Sequence, residues 1–485
     1  MRIVFNTLCV CTHEHIETGT LTVYAVHPPF PRAFRGKFHI LFAHLRQLHL
    51  TSHILSKNLQ YDVFFVDQLS TCIPFLRSFG KTRVLFYCHF PDKLLANGEL
   101  IEEKLGRGDE VRFRMKKNGS LLKKAYRFPM DLLEEITTRM VAIPSFVSFA
   151  RATSHSIFVG QADCILANSK FTSRVFKSYF ASIPQQPIVV YPGINIKAYE
   201  AGMSEVDMND SDVVSITSSV SATCLETSRA DIFLLPSDRP TLVSMNRFEK
   251  KKNAALAVNA FALLRSRNHN KLHNLRLVLA GGYDPRLLDN DTTLASLVHL
   301  VSTVHKMSYA LLGSKAPSSL VSNSSPPESS DVVFLLNFST AQRTALLRSP
   351  STLCLLYTPA NEHFGIGPVE GLICGLPVLS CDSGGPVETL ADGVGWLRPP
   401  DPEIWASALE EIVVEGKGKQ AGERGKKKAR EVFGMDVMAS SIERELSRVV
   451  EMGRVESSWD WEWIRLFLGL ITGLLLAWVA RIMFL

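Results

Sequence analysis

The chain has 485 residues, 46% of them hydrophobic and 21% charged, with a formal net charge of +6 at pH 7. That length calls for two domains rather than one, and that apolar content excludes wholesale disorder. Nine scattered cysteines without a CxxC pair point to a reducing compartment, and Cys9 and Cys11 with His13 and His15 match no zinc spacing.

The N-terminal end shows no basic region ahead of an apolar core, so no secretory signal is expected. Short apolar runs then alternate with helical patterns, as in parallel sheets with helices on both faces. Residues 61–67 (YDVFFVD) and 83–87 (RVLFY) read as buried strands, and 164–168 (CILAN) as a third, followed by Ser169, Phe171 and Thr172 opening a helix. Residues 188–191 lead into a turn at Pro192 and Gly193. The Ser-, Thr- and Asp-rich stretch 203–234 reads as a linker or surface insertion at the domain boundary.

A second series follows, with a strand at 241–246, a helix carrying Leu256, Ala260, Leu263 and Leu264 at helical spacing, and a strand at 275–280. Residues 314–330 read as an exposed Ser/Pro-rich loop. Strands at 354–358 and 377–381 come next, the second ending in the turn Ser383-Gly384-Gly385-Pro386. Ligands of such sheets bind outside the carboxyl ends of the strands, where all these polar turns lie, so two such domains facing each other would enclose one cleft.

The expected organisation is an α/β chain of two Rossmann-like, doubly wound domains. The first covers 1–202, the linker 203–234, and the second domain 235–435. An amphipathic or linker helix at 436–463 precedes an apolar membrane anchor at 464–485. The uninterrupted apolar run 466–480 is shorter than the ~20 residues that span a bilayer, though Arg465 and Arg481 can snorkel to the interfaces. The alternative is a tail lying in the interface.

Two basic clusters stand out: Lys116, Lys117, Lys123, Lys124 and Arg127, and then Lys417, Lys419, Arg424, Lys426, Lys427, Lys428 and Arg430. The simpler reading is a solvated helix face, and the sharper one is attraction to an anionic membrane surface or a lipid diphosphate. Nucleic acid is not expected as a partner, since no nucleic-acid motif accompanies either cluster.

The most informative segment is 361–371 (NEHFGIGPVEG), in which Glu362 and Glu370 are separated by seven residues. It reads as a loop becoming a helix, with Gly365 and Gly367 between the carboxylates and Pro368 at the first helical position. Such a turn presents bare backbone N–H groups and the positive end of a helix dipole to an anion, and a diphosphate fits there. A carboxylate on either side could hold hydroxyl groups, as a nucleotide sugar requires.

Together with the turn at 383–388, this loop resembles the donor site of family 4 retaining glycosyltransferases of the GT-B fold. More narrowly, residues 85–92 (LFYCHFPD), 131–138 (DLLEEITT), 162–169 (ADCILANS), 246–253 (NRFEKKKN) and 280–284 (AGGYD) resemble the alpha-1,3/alpha-1,6-mannosyltransferases of the dolichol-linked oligosaccharide pathway. The likeness runs from about residue 40 to residue 435.

It implies that Arg247 and Lys252 neutralise the donor diphosphate and assist its departure. Glu370 would bind the ribose hydroxyls, and Glu362 would face the transferred sugar, lined by His363, Phe364 and Gly365. Gly384 and Gly385 would let the backbone approach the donor, and His89 would stand near the acceptor and the reacting sugar. Retention in the family needs neither a covalent intermediate nor a metal, so the two Glu are not the nucleophile and acid of a hydrolase.

The implied reaction is transfer of mannose from GDP-mannose to a dolichol-diphosphate oligosaccharide at the cytosolic face of the endoplasmic reticulum membrane, beside other mannosyltransferases of the pathway. A UDP-sugar enzyme with another lipid acceptor and an inactive scaffold are the alternatives. Sequons at Asn118, Asn209, Asn290, Asn323 and Asn337 bear on the topology.

Two departures from the family pattern stand out. The opening MRIVFNT lacks the family's Gly-rich loop, so the first βα unit is expected to be missing. Residues 141–161 interrupt a continuous family segment. Both have the form of gene-model errors, a start placed too far downstream and a retained intron, and the insertion has a second reading as a membrane-dipping segment.

Overall fold

The structure is a computed structural model, which describes residues 3–6, 26–34, 38–57, 60–67, 69–91, 100–104, 111–115, 133–134, 163–180, 183, 185–200, 239–313 and 315–455. The insertion 141–161, the linker 203–234, the anchor 464–485 and the basic cluster 116–127 lie outside those residues. Among the described residues no helix is long and apolar enough to cross a membrane. The chain divides into two compact units, one of Met1–Val190 with Ser441–Leu485 and one of Tyr191–Ser440. The division thus falls ahead of the Ser-rich stretch.

Strands of the first unit are β1 (Ile3–Asn6), β2 (Val63–Asp67), β3 (Arg83–Cys88), β4 (Leu100–Lys104), β5 (Val111–Met115), β6 (Ile165–Ala167) and β7 (Ile188–Val189). Among the described residues, five form a parallel sheet in the order β1-β2-β3-β6-β7, while β4 and β5 pair as an antiparallel hairpin. Ile3 pairs with Val63 and Asn6 with Val66, so the opening residues close the edge of the sheet. The reason lies in the run Ile-Val-Phe, whose β-branched and aromatic side chains favour a strand even where no Gly-rich loop follows.

The base of this sheet is fastened by a buried charge. Asp163, fully buried ahead of β6, accepts from Arg77, from Arg83 Nη1 at 3.1 Å and from the Val84 amide at 3.1 Å. Burial, with the neighbouring Arg83 charge, pulls the Arg77 guanidinium down to about 10. Arg83 also donates to the carbonyls of Met452 and Gly453, just past the helix Met435–Glu451, which ties that helix end to the start of β3. Parallel register between β2 and β3, Val63 opposite Arg83 and Asp67 opposite Tyr87, brings Asp67 and His89 out at the same sheet edge.

Strands of the second unit are β8 (Thr241–Met245), β9 (Arg276–Gly281), β10 (Tyr309–Leu312), β11 (Val332–Leu336), β12 (Thr352–Tyr357), β13 (Val378–Cys381) and β14 (Trp396–Arg398). They form a seven-stranded parallel sheet in the order β10-β11-β9-β8-β12-β13-β14. Residues of β8, β9 and β11 are buried on both faces, which accounts for their unbroken apolar runs. Alternate residues enter two layers: Leu242, Leu277 and Phe334 pack on one side with Leu256, Ala260 and Leu264 of the helix Ala254–Arg267. Val243, Val278 and Val333 pack on the other side with Val369 and Leu372 of the helix Ile366–Ile373. Residues 315–330 are mostly exposed and carry one short helix, Ser318–Val321.

Winding proceeds outward from β8 in both directions, so β8 and β12 lie side by side at the reversal of strand order. A crevice opens there beyond their carboxyl ends.

Replacing Asp163 by Ala leaves two arginines without their shared carboxylate at the base of the first sheet. The expected loss is about 3–5 kcal/mol, read as a lower urea midpoint for the N-terminal unit in far-UV circular dichroism.

Candidate active site

The turn after β8 brings a lysine to the crevice. Residues Lys250–Lys252 form a single 3-10 turn, and Asn253 adopts a left-handed conformation (φ 50°) before the helix Ala254–Arg267 begins. Thr358, fully buried just after β12, donates to the Lys252 carbonyl at 2.7 Å and so fixes that turn against the neighbouring strand. Lys252 is only 9% exposed, and its Nζ donates to Glu362 Oε1 at 2.6 Å. The structure therefore joins two of the sequence-predicted residues directly, at the point where the strand order reverses.

Glu362 is held by the backbone as well. The Gly385 amide donates to the Glu362 carbonyl at 2.7 Å, and the Asn361 amide donates to Ser383 Oγ at 3.1 Å. The turn after β13 and the turn after β12 are in main-chain contact. A Cβ on Gly384 would stand 2.5 Å from the Glu362 carbonyl oxygen, and one on Gly385 would stand 2.4 Å from Phe364 Cα. These glycines let one loop approach the other. Gly384 also has φ 76°, which a side chain would strain.

Gly365, at φ 83°, turns the chain into the helix Ile366–Ile373. Pro368 occupies its third position rather than the first, still inside the turn whose N–H groups lack helical acceptors. Phe364 turns its ring inward. Its ring is stacked on Tyr191 and edge-on to Phe433, and the residue is 3% exposed, so hydrophobic burial takes the side chain into the core. His363 is half-buried on the same loop.

Three residues that the sequence reading passed over complete the site. Tyr357, 5% exposed at the end of β12, lies beneath Gly365 and Gly367, where added Cβ atoms would come within 3.3 and 3.0 Å of its ring. Burial, and then the negative charge of Glu362 and Glu370, holds its hydroxyl, which lies beside Glu362, well above the usual phenol range. Glu370, 7% exposed, accepts at Oε1 from the Tyr199 hydroxyl at 2.7 Å, and the same oxygen is ion-paired with Arg343 Nη1 at 2.8 Å. Burial raises the Tyr199 hydroxyl, and Glu370 raises it further. Each carboxylate thus has one cation and one tyrosine hydroxyl. A signal for Tyr357 existed, a polar aromatic closing the apolar run CLLY just ahead of spaced glycines, whereas Tyr199 and Arg343 carry none.

Arg247 stands differently. Its side chain is 63% exposed and its guanidinium lies 2.8 Å from Glu249 Oε1, so it is not joined to Glu362 or Glu370. In the first unit, His89 Nε2 donates to Asp67 Oδ1 at 2.6 Å, and Tyr87 packs edge-on against the imidazole. The buried lysine and the bare helix N-terminus suit an anion, while the two oriented carboxylates suit hydroxyl groups.

Two variants test this arrangement. Gly384→Ala places a methyl group against the Glu362 backbone and is expected to cost about 1–3 kcal/mol, lowering the melting temperature and the activity together. Tyr357→Phe keeps the ring under the glycines and removes the hydroxyl beside Glu362, so activity is expected to fall by about tenfold with the melting temperature changed far less.

A model of the family described as "Glycosyl transferases group 1" matches residues 227–431. The alpha-1,3/1,6-mannosyltransferase ALG2 of Rhizomucor pusillus is 38% identical over 436 residues, 89% of this chain and 80% of that protein. Its namesake in Saccharomyces cerevisiae is 31% identical over 476 residues, 94% of this chain and 80% of that protein. Among solved structures, a glycosyltransferase from Rickettsia africae superposes with a TM-score of 0.53 at 13% identity, covering 92% of this chain and 90% of its own. Sucrose-phosphate synthase from Thermosynechococcus elongatus gives 0.53 at 16% identity, covering 83% and 77%. At such identities the structures speak for the fold alone, a GT-B-like α/β fold of parallel sheets. The sequence relatives speak for more, and with identities above 30% across most of its length the chain belongs to the alpha-1,3/1,6-mannosyltransferase (ALG2) family of glycosyltransferases.

Proposed function

We propose that this enzyme transfers mannose from GDP-mannose to a dolichol-diphosphate-linked oligosaccharide, forming an alpha-1,3 and then an alpha-1,6 linkage with retention. The observation that carries the reading is the buried Lys252–Glu362 pair at the reversal of strand order. In this reading the donor diphosphate lies over the N-terminus of the helix Ile366–Ile373, where free N–H groups, Lys252 and Arg247 take up its charge as GDP leaves. Charge compensation is thus assigned to side chains and backbone, with no metal in the scheme.

Glu362 faces the mannose. It already accepts from Lys252 and has the Tyr357 hydroxyl beside it, so its role is to anchor a sugar hydroxyl and set the register of the anomeric carbon. Glu370 faces the ribose, and the paired glycines hold the intervening loop in place. The acceptor hydroxyl attacks on the face from which the diphosphate departs, which preserves the anomeric configuration without a glycosyl-enzyme. His89, oriented by Asp67, is assigned to the acceptor side.

The same reading places the catalytic units at the cytosolic face of the endoplasmic reticulum membrane, close to the lipid acceptor and to other mannosyltransferases of the pathway. Two sequons support this topology because their asparagines are occupied in the fold. Asn337 accepts from the Tyr283 amide and donates to its carbonyl, both at 2.8 Å, and Asn290, 5% exposed, accepts from the Asp284 amide at 3.0 Å.

Membranes bearing the recombinant chain, given labelled GDP-mannose and a one-mannose lipid acceptor, are expected to yield two- and three-mannose products. Lys252→Met is expected to lower the rate by about 10²–10³. Product from a UDP-sugar alone would point to a different family 4 activity, and absence of product from a chain that binds GDP-mannose would point to a scaffold.

A further inference from the structure

Glu370 is buried more deeply than hydroxyl binding requires, and it is held from outside its own loop. Arg343 comes from the helix Thr340–Arg348 that follows β11, and Tyr199 from the short helix Ile196–Glu200, an element 171 residues away from Glu370 in the chain. The Arg343 guanidinium lies over the Tyr199 ring, 5.7 Å from its centroid, so the three side chains close a triangle. Tyr199 is 6% exposed, and Arg343 Nε is buried without a hydrogen-bond partner, while the Arg343 side chain as a whole is half-buried.

The Tyr199 hydrogen bond and the Arg343 ion pair both fall on the same carboxylate oxygen, Oε1, and among the described residues no side chain is paired with Oε2. A glutamate in the first turns of a helix ordinarily samples several rotamers, and its terminal torsion is broad. Two donors converging on one oxygen from different directions remove that freedom. The ion pair also compensates the cost of burying the carboxylate, which would otherwise weigh against a charged group at this depth.

We infer that Arg343 and Tyr199 are the positioning residues of Glu370: by holding Oε1 they present Oε2 to the vicinal ribose hydroxyls, and the preference of this site for ribonucleotides over deoxyribonucleotides depends on them. This rests on the assignment of Glu370 to the ribose, and adds that the discrimination is supplied by two residues that do not touch the nucleotide.

The test is a ratio of affinities, measured by calorimetry on the full-length chain with GDP and with 2′,3′-dideoxy-GDP. One to two hydrogen bonds to a charged group make the expected wild-type preference for GDP about 10- to 100-fold. Glu370→Gln is expected to bring the ratio close to one. Arg343→Met is expected to reduce it by about tenfold and Tyr199→Phe by about threefold, with dideoxy-GDP binding nearly unchanged and Arg343→Lys recovering part of the loss. The donor KM should rise while kcat is largely kept. Tyr199→Phe retains the ring beneath the guanidinium and so keeps the test open should Arg343→Met fail to fold.

If Glu370→Gln collapses the ratio while Arg343→Met and Tyr199→Phe leave it at the wild-type value, the positioning role is overturned and the ribose assignment survives. If Glu370→Gln leaves the ratio unchanged, the ribose assignment itself fails, and this inference with it.

Discussion

Two backbone turns at the carboxyl end of the seven-stranded sheet lie so close together that no side chain fits between them. The Gly385 amide bonds the Glu362 carbonyl, and Gly384 occupies a space in which a β-carbon would overlap that carbonyl. Because of this contact, the loop after β12 is a fixed ledge. Glu362 can then meet Lys252 from β8, Tyr357 can pack under Gly365 and Gly367, and the helix bearing Glu370 starts at a defined angle. A wider separation would leave the first carboxylate on a mobile loop, where it would lose its ion pair to solvent.

The electrostatics follow from that geometry. Two carboxylates near one another and partly sealed from water repel each other and lose hydration, an unfavourable arrangement unless each is compensated. Here Glu362 is paired with Lys252 beside the Tyr357 hydroxyl, and Glu370 is paired with Arg343 and accepts from the Tyr199 hydroxyl. The tyrosines stay protonated because burial and the adjacent negative charge both oppose ionisation, so they serve as donors and not as bases. A site built in this way presents oriented charge to a ligand with little rearrangement on binding.

Much of this was legible in the chain. Unbroken apolar runs marked the buried parallel strands, and glycines beside a paired Glu marked the loop that becomes a helix. Other features were not legible, for physical reasons. The strand at Ile3–Asn6 was not singled out, because a run of four residues shows itself as a strand only beside a partner, and β2 provides one. Phe364 sits within a motif of ligand-facing residues, but an aromatic ring at a loop-to-helix turn goes where it can be buried, here between Tyr191 and Phe433. Arg247 and Lys252 looked like an equivalent pair at a spacing of five, and a single 3-10 turn separates their fates, burying one and leaving the other paired with Glu249 in solvent.

The sequence by itself determined the alternation of strands and helices, the two carboxylates, the basic residues after β8 and the two Gly-containing turns, because each is a local property of residue type and spacing. Which groups meet was decided by the tertiary structure. Lys252 and Glu362 are 110 residues apart, and Tyr199 and Glu370 are 171 apart. Only the order in which the sheet is wound, with β8 beside β12, brings such residues within hydrogen-bond distance, and no local pattern encodes that order.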